Sequence, residues 1–207
     1  MKQSLLIFPF GANSLEALDC INEEIYEVIG FVDDDAEKIG KNYKGFEIFD
    51  RSAFDNFSEA KVLACIGSPQ NFKEKGRIID SLYIDKERFI NIIHAKASVS
   101  RYATLGTNCL IMSGVSITHN AKVGNNVIIL PNTTIHHDTE IGDNVCIGSN
   151  VVVAGFTKIQ ANCYIGSGSN LINGIEIEGN TLIGLGTNVI KSIGKNKKMV
   201  GNPAREI

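Results

Sequence analysis

Residues 111–150 read IMSGVSITHNAKVGNNVIILPNTTIHHDTEIGDNVCIGSN, and this stretch repeats every six residues. An aliphatic residue stands at Ile111 and again at each sixth position as far as Ile147. The same column extends in both directions, from Ile93 to Val189, and all seventeen of its members are Ile, Val or Leu. A fixed short period of this kind is the sequence signature of a solenoid.

Two further columns accompany the aliphatic one. The third residue after each aliphatic position is Asn, Gly or Asp in thirteen of seventeen hexads, as at Asn126 and Gly168. These residue types tolerate positive φ, so this column predicts a corner. A small or branched residue follows each corner, as at Cys109 and Cys163, and is expected to pack inside it. Each hexad is therefore a strand plus a corner. Three hexads form one triangular coil of 18 residues, with parallel strands about 4.8 Å apart.

Residues 1–92 show a different pattern. Apolar runs at 5–8, 27–31 and 61–66 predict strands, residues 73–82 predict a helix, and Ser14 is expected to cap an earlier helix. This order indicates a small Rossmann-like α/β unit with a parallel sheet, whose loops converge on one crevice. A dinucleotide fingerprint is absent, because Asn13 and Glu16 occupy two of its glycine positions.

Composition divides the chain and excludes several classes of protein. Residues 1–92 carry 11 basic and 17 acidic residues, a net charge of −6, whereas residues 93–207 carry 9 and 6, a net of +3. We expect domains at 1–92 and 93–194, followed by a tail at 195–207. The overall charge of −3 argues against a nucleic-acid-binding surface. No apolar run approaches the roughly 20 residues of a membrane span. Five cysteines without a CxxC spacing predict reduced thiols in the cytoplasm.

The repeat resembles that of the hexapeptide-repeat acyltransferases, whose prism is a left-handed parallel β-helix. A small sheet domain ahead of the prism is similar to one branch of that family. The branch contains bacterial sialic-acid O-acetyltransferases and N-acetyltransferases of nucleotide-linked amino sugars. The resemblance implies acetyl-CoA as co-substrate, no metal, a nucleotide-sugar acceptor, a role in surface-glycan synthesis and a homotrimer.

Residues 135–142, IHHDTEIG, resemble the family's catalytic stretch V-x-H-D/E-x-x-I-G. The match implies that His137 is a general base and Asp138 its supporting acid. A thioester is already activated, so the acceptor has only to lose a proton, and imidazole, with an ordinary pKa of about 6.5, is suited to take it. His136 is the runner-up base. His119 precedes His137 by one coil, and the two are expected to stack on the outside of the prism.

The same resemblance implies two binding regions. The family's first loop, G-A-x-G-H-G, reads GANSLE at residues 11–16, so Leu15 replaces its histidine. Contacts to the sugar nucleotide are expected from Asn13, Ser14, Leu15, Asp33, Asp34 and Gly67. Contacts to coenzyme A, lying along the prism between subunits, are expected from Cys146, Gly155, Ser167 and Leu185. Cys146 stands where the family often has a histidine, and lysines at 195–198 are candidates to meet phosphates.

Several functions fit this pattern. The leading interpretation is N-acetylation of a nucleotide-linked amino sugar. The alternatives are O-acetylation of a sialic-acid-like sugar and a non-catalytic trimeric scaffold. A prism-type carbonic anhydrase is disfavoured, because the four histidines lack the spacing of its zinc ligands.

Overall fold

The computed structural model describes residues 2–207. Its N-terminal part contains β1 (Gln3–Phe8), α1 (Ala12–Leu18), β2 (Tyr26–Val32), β3 (Asn42–Tyr43), β4 (Phe46–Phe49), α2 (Ala53–Asn56), β5 (Lys61–Ala64) and α3 (Lys75–Asp80), then a 3-10 turn at Lys86–Arg88. The strands form one sheet in the order β3-β4-β2-β1-β5. All its pairs are parallel except β3 with β4. The predicted parallel α/β unit is confirmed.

Two local predictions in this part are wrong. Ser14 does not cap a helix, because α1 already begins at Ala12, and Ser14 lies inside it. The Ser14 side chain is buried, and its hydroxyl donates to the Pro9 carbonyl at 2.5 Å. The helix expected over residues 73–82 is confined to Lys75–Asp80, since residues on either side form turns.

The second part is the predicted prism of short strands. In chain order they are β6 (Ile92–Ile93), β7 (Ser98–Val99), β8 (Thr104–Leu105), β9 (Leu110–Ile111), β10 (Ser116–Ile117), β11 (Lys122–Val123), β12 (Ile128–Ile129), β13 (Thr134–Ile135), β14 (Glu140–Ile141), β15 (Cys146–Ile147), β16 (Val152–Val153), β17 (Lys158–Ile159), β18 (Tyr164–Ile165), β19 (Asn170–Leu171), β20 (Glu176–Ile177), β21 (Leu182–Ile183) and β22 (Asn188–Val189). Each strand pairs in parallel with the strand 18 residues away, as Ile135 does with Val153.

These strands build three faces. Face 1 contains β6, β9, β12, β15, β18 and β21, face 2 runs from β7 to β22, and face 3 runs from β8 to β20. Two more strands, β23 (Lys198–Val200) and β24 (Arg205–Glu206), extend face 1, so residues from the expected tail complete this sheet. The predicted fold class, a parallel sheet followed by a β-helix, is confirmed.

The aliphatic column forms the axis of the prism. From Ile111 to Val189 every member is at most 4% exposed. The first three members are more accessible, with Ile93 at 40%, because no coil lies beneath them to cover the end of the prism. Fourteen consecutive corner residues, Asn108 to Gly186 at intervals of six, have positive φ. The corner column was therefore predicted correctly, and it includes Phe156 at φ 61°.

The N-terminal sheet packs directly on face 1. Ile92, Leu110, Met112 and Ile128 are buried in one apolar cluster with core residues of the N-terminal sheet. A polar contact reinforces this packing, since the backbone amide of Ala64 donates to Asn108 Oδ1 at 2.8 Å. The crevice of the N-terminal sheet is consequently fixed in position relative to the edges of the prism.

Candidate active site

The corners between face 2 and face 3 form the histidine edge, which carries His119, His137 and Gly155 in successive coils. His137 follows β13 and is half exposed. Its Nδ1 atom lies 2.8 Å from Asp138 Oδ2. Asn120, one coil earlier, donates from Nδ2 to Asp138 Oδ1 at 2.6 Å. The positive φ of Asp138, 57°, is the corner conformation that turns the chain at this point.

The hydrogen bonds to Asp138 favour its ionised form. The bonds from Asn120 and then His137 hold the pKa of this carboxyl below its usual value of 3.8. Asp138 is therefore ionised near neutral pH. A carboxylate beside Nδ1 retains the proton on that nitrogen and leaves Nε2 as the acceptor, which is the tautomer that a general base requires.

Two residues of the next coil surround the imidazole. A Cβ atom added to Gly155 would lie 2.8 Å from both Cε1 and Nε2 of His137, so only glycine leaves room for the ring. Phe156 meets the same ring edge to face, with centroids 5.1 Å apart and an interplanar angle of 87°. His137 is thus held by a carboxylate, a glycine and an aromatic ring.

The other two histidines of this region differ from His137. His119 lies one coil before it, as expected, but its ring contacts Tyr102, with centroids 4.8 Å apart. Its backbone carbonyl accepts a hydrogen bond from the Asp138 amide at 3.1 Å. His136 makes no side-chain hydrogen bond with any residue of 2–207, whereas His137 has a carboxylate partner. The geometry therefore favours His137 over the runner-up His136 as a base.

The crevice of the N-terminal sheet forms where loops meet after β1 and β5. Asn13 donates from Nδ2 to the carbonyl of Gly67 at 3.2 Å and joins the two loops. A Cβ atom on Gly67 would lie 2.6 Å from that Nδ2 atom, so the glycine permits the contact. A cavity of about 210 Å³ opens here, and Asn13, Ser14 and Gly67 are among its lining residues.

The remaining residues predicted for the sugar nucleotide lie outside this lining. Asp33 is 4% exposed, and its carboxylate forms an ion pair with Lys38 Nζ at 3.1 Å. Asp34 binds Arg51 through two hydrogen bonds of 2.6 and 2.7 Å. Leu15 packs against the apolar cluster between the two parts. Lys38 also donates to the Phe10 carbonyl at 3.2 Å, so Asp33 fixes the loop that borders the cavity.

The residues predicted for coenzyme A are distributed over separate parts of the prism. Gly155 lies at the histidine edge, directly under His137. Ser167 and the 73% exposed Leu185 belong to the serine edge, the corners between face 1 and face 2. The Ser167 hydroxyl accepts a hydrogen bond from the Ser149 amide at 3.0 Å. Within one chain, therefore, Gly155 lies on one edge of the prism, whereas Ser167 and Leu185 lie on another.

Cys146 lies away from both edges. It is 3% exposed on face 1, under the N-terminal sheet, and the fully buried Lys75 donates from Nζ to its sulfur at 3.4 Å. It lies close to the predicted site residue Gly67, whose added Cβ atom would be 3.5 Å from the sulfur. The structure thus places Cys146 below the crevice, and a role beside His137 within one chain is not supported.

Sequence reasoning missed three residues of this region: Asn120, Phe156 and Lys75. Two of them carried a usable signal. Asn120 and Phe156 stand 18 residues before and after Asp138, so the coil period places all three in one column. Lys75 carried no such signal, because its burial depends on how α3 docks on face 1.

The arrangement limits the chemistry that this site can perform. Among residues 2–207, no group of three His, Cys, Asp or Glu side chains is placed to hold a metal ion. None of the helices described in residues 2–207 is long and apolar enough to cross a bilayer. Burial raises the pKa of the Cys109 and Cys163 thiols to about 11, which keeps them protonated and agrees with the predicted packing role. The reactive group that this site offers is therefore the His137 imidazole, which is supported by the Asp138 carboxylate.

The fold and the repeat are those of hexapeptide-repeat proteins, here preceded by an N-terminal α/β part. The family model described as bacterial transferase hexapeptide (six repeats) matches residues 102–137 and 120–155. This match confirms the resemblance to hexapeptide-repeat transferases that the repeat indicated. No curated protein matches the chain in sequence.

Solved structures share the fold over the whole chain. A mutant of perosamine N-acetyltransferase from Caulobacter crescentus, in complex with CoA and GDP-perosamine, is 19% identical with a TM-score of 0.87. The alignment covers 100% of this chain and 97% of that one. The acetyltransferase domain of PglB from Neisseria gonorrhoeae, in complex with acetyl coenzyme A, is 20% identical with a TM-score of 0.86, and both chains are covered completely. WeeI from Acinetobacter baumannii is 18% identical with a TM-score of 0.82, again with complete coverage of both chains.

Proposed function

We propose that this protein transfers an acetyl group from acetyl-CoA to the amino group of a nucleotide-linked amino sugar in bacterial surface-glycan synthesis. The observation that carries the proposal is the His137–Asp138 pair, 2.8 Å apart, on an edge of a hexapeptide-repeat prism. Two solved structures that share the complete fold also support the proposal. One is an N-acetyltransferase bound to CoA and GDP-perosamine, and the other is an acetyltransferase domain bound to acetyl coenzyme A. These neighbours favour nitrogen over oxygen as the acceptor.

The proposed reaction is a direct transfer. Nε2 of His137 accepts a proton from the sugar amine as the nitrogen attacks the thioester carbonyl. The carbon–sulfur bond then breaks, and the His137 imidazolium returns its proton to the departing sulfur, so that coenzyme A leaves as its thiol and the histidine is neutral again. Asp138 touches neither substrate. It positions the imidazole and stabilises the positive charge that forms on it.

We propose that two subunits of a homotrimer build each site. His137 and Gly155 lie on the histidine edge, whereas Ser167 and Leu185 lie on the serine edge of the same prism. A single coenzyme A molecule reaches all four residues when the histidine edge of one subunit faces the serine edge of the next. Threefold closure then gives three equal sites. A monomer in analytical sedimentation at micromolar concentration would refute this arrangement.

The N-terminal crevice is proposed to bind the sugar nucleotide. Its cavity is lined by Asn13, Ser14 and Gly67, and the packing of the N-terminal sheet on face 1 fixes it in position. Asp33, Asp34 and Leu15 shape the surrounding loops in this proposal. All five cysteines are free thiols, as expected for a reducing compartment, and we propose a cytoplasmic location.

The test compares neighbouring histidines. His137→Ala is expected to lower kcat by roughly 10²–10⁴-fold while acetyl-CoA still binds, since a positioned general base contributes on that scale. His136→Ala is the matched control and should change kcat little. The assay measures CoA release with acetyl-CoA and a GDP-linked 4-amino sugar. Resistance of the product to mild alkali identifies an amide rather than an ester. Full activity of His137→Ala would refute the proposed mechanism.

A further inference from the structure

Phe156 is an exception among the corners of the prism. Throughout residues 93–194, every other corner residue with positive φ is Gly, Asn or Asp. Asn and Asp tolerate this conformation, and glycine adopts it freely, whereas a bulky side chain there is strained. Phe156 adopts it at φ 61°, and 58% of the residue is exposed to solvent. Within the single chain, neither the turn nor the burial of apolar surface explains why a phenylalanine stands at this position.

The contacts of Phe156 suggest what the strained conformation achieves. At the corner one coil after Asp138, its amide donates to the His137 carbonyl at 3.1 Å. From there the ring reaches the His137 imidazole, with centroids 5.1 Å apart and an angle of 87°. The residue with the strained corner conformation is thus also the one whose ring contacts the His137 imidazole.

Each of the three contacts restrains a different movement of the imidazole. Gly155 lies so close beneath the ring that even a single Cβ atom would collide with it. Asp138 holds Nδ1 at 2.8 Å and fixes the rotation of the ring about its own axis. The remaining freedom is a swing away from the edge into solvent, which the Phe156 ring opposes because it packs against the imidazole. In this arrangement Nε2 has no hydrogen-bond partner among residues 2–207 and is available to an acceptor substrate.

We propose that Phe156 is a positioning residue, which holds the His137 imidazole in the orientation needed for proton transfer. The inference rests on the proposed function of His137 as a base. Phe156 itself takes no part in the chemistry. It limits the rotamers of a half-exposed histidine that would otherwise sample solvent-facing conformations. The strained corner conformation is retained because the orientation of the histidine depends on it.

The test uses substitutions that separate strain from positioning. Phe156→Asn supplies the residue most often found at these corners and removes the ring. Its thermal midpoint should rise, because the strain is relieved, while kcat falls by about ten- to a hundredfold through misplacement of the base. The KM values for both substrates should stay close to those of the wild type. Phe156→Tyr keeps the aromatic ring, so its kcat should stay close to that of the wild type.

Asn180→Phe is the reciprocal control. It places a phenylalanine at a left-handed corner between face 3 and face 1, away from His137. This variant should lose thermal stability and retain kcat. If Asn180→Phe were as inactive as Phe156→Asn, a general effect on the prism would explain both, and the proposal would fail.

A ligand-free measurement separates this proposal from the proposed catalytic role. In histidine-labelled protein, the Cε1 proton of His137 should carry a ring-current shift from Phe156. Phe156→Asn should abolish that shift and leave the signals of the other three histidines unchanged. Wild-type kcat in Phe156→Asn, or a raised KM with kcat unchanged, would overturn the positioning role. Full activity of His137→Ala would instead refute the catalytic proposal, and the shift would still report whether Phe156 orients the ring.

Discussion

Gly155→Ala should damage the proposed site without damaging the fold. The added Cβ atom would lie 2.8 Å from Cε1 and Nε2 of His137 and 3.2 Å from Nδ1. Ordinary contacts between such atoms are about 3.5–4.0 Å, so the imidazole must retreat by roughly 1 Å. That movement lengthens the 2.8 Å hydrogen bond to Asp138 to a distance at which it is weak or lost.

The expected size of the effect follows from this displacement. A misplacement of about 1 Å can cost about a hundredfold in rate, or about 2.7 kcal/mol of transition-state stabilisation. The free energy of unfolding should change little. Gly155 does not occupy the left-handed region, so alanine fits its backbone, and the loss of entropy in the unfolded chain favours the variant by about 0.4–1 kcal/mol.

The assay needs a control with the same chemical change. Gly194→Ala meets no atom within 4 Å and also lies outside the left-handed region, so it should preserve both activity and stability. Initial rates of CoA release give kcat, and thermal melting gives stability. Wild-type kcat in Gly155→Ala would show that the imidazole is not constrained as described. A large drop in melting temperature would show that Gly155 has a structural role instead.

Further predictions concern the carboxylates and the buried lysine. Asp138→Asn should lower kcat less than His137→Ala does, as rates at saturating substrate will show. Because the folded-state pKa of Asp138 is depressed, its contribution to stability is present above its unfolded pKa and lost as pH falls through the folded value. Melting curves of wild type and Asp138→Asn should therefore differ at neutral pH and converge as the pH falls below about 4. Asp33→Ala should raise the KM for the sugar nucleotide, because it releases Lys38 and the loop beside the crevice. The KM for acetyl-CoA should stay nearly unchanged. Equal effects on the two KM values would contradict the proposal that the crevice binds the sugar nucleotide alone. Lys75→Met should raise the midpoint of urea unfolding, because it removes a fully buried polar amino group whose hydrogen-bond acceptor is the Cys146 sulfur. A lower midpoint would contradict this.

The prism could be predicted almost completely from the sequence, because its contacts are periodic. Each strand pairs with the strand 18 residues away, so the six-residue pattern fixes the corners, the axis and the register together. The N-terminal part was less predictable. Its hairpin at β3 and β4 and its short α2 have no strong periodicity, and the position of Ser14 within α1 depends on a hydrogen bond to Pro9.

The candidate site could be predicted only where it follows the same period. His137 and Asp138 were found from a local motif, and their 2.8 Å contact agrees with the roles that the motif implies. Gly155 was assigned to coenzyme A, yet its closeness to the His137 ring needed coordinates. Cys146 was placed near the thioester by resemblance, whereas the docking of the N-terminal sheet on face 1 buries it. The contacts between the two parts are non-periodic, so no spacing rule could reveal them.

The uninterrupted coil also makes this prism a ruler. Every 18 residues advance the chain by one strand spacing, about 4.8 Å, so the distance between two positions on one edge is a whole number of equal steps. Removing one complete coil would shorten the ruler by one step and keep every remaining residue on its own edge. Removing a single residue would shift each later corner to the wrong place in its coil. The number of coils therefore sets the distance along an edge between two contact points for a long, flexible acyl donor. This distance can change without any change in the chemistry at the histidine.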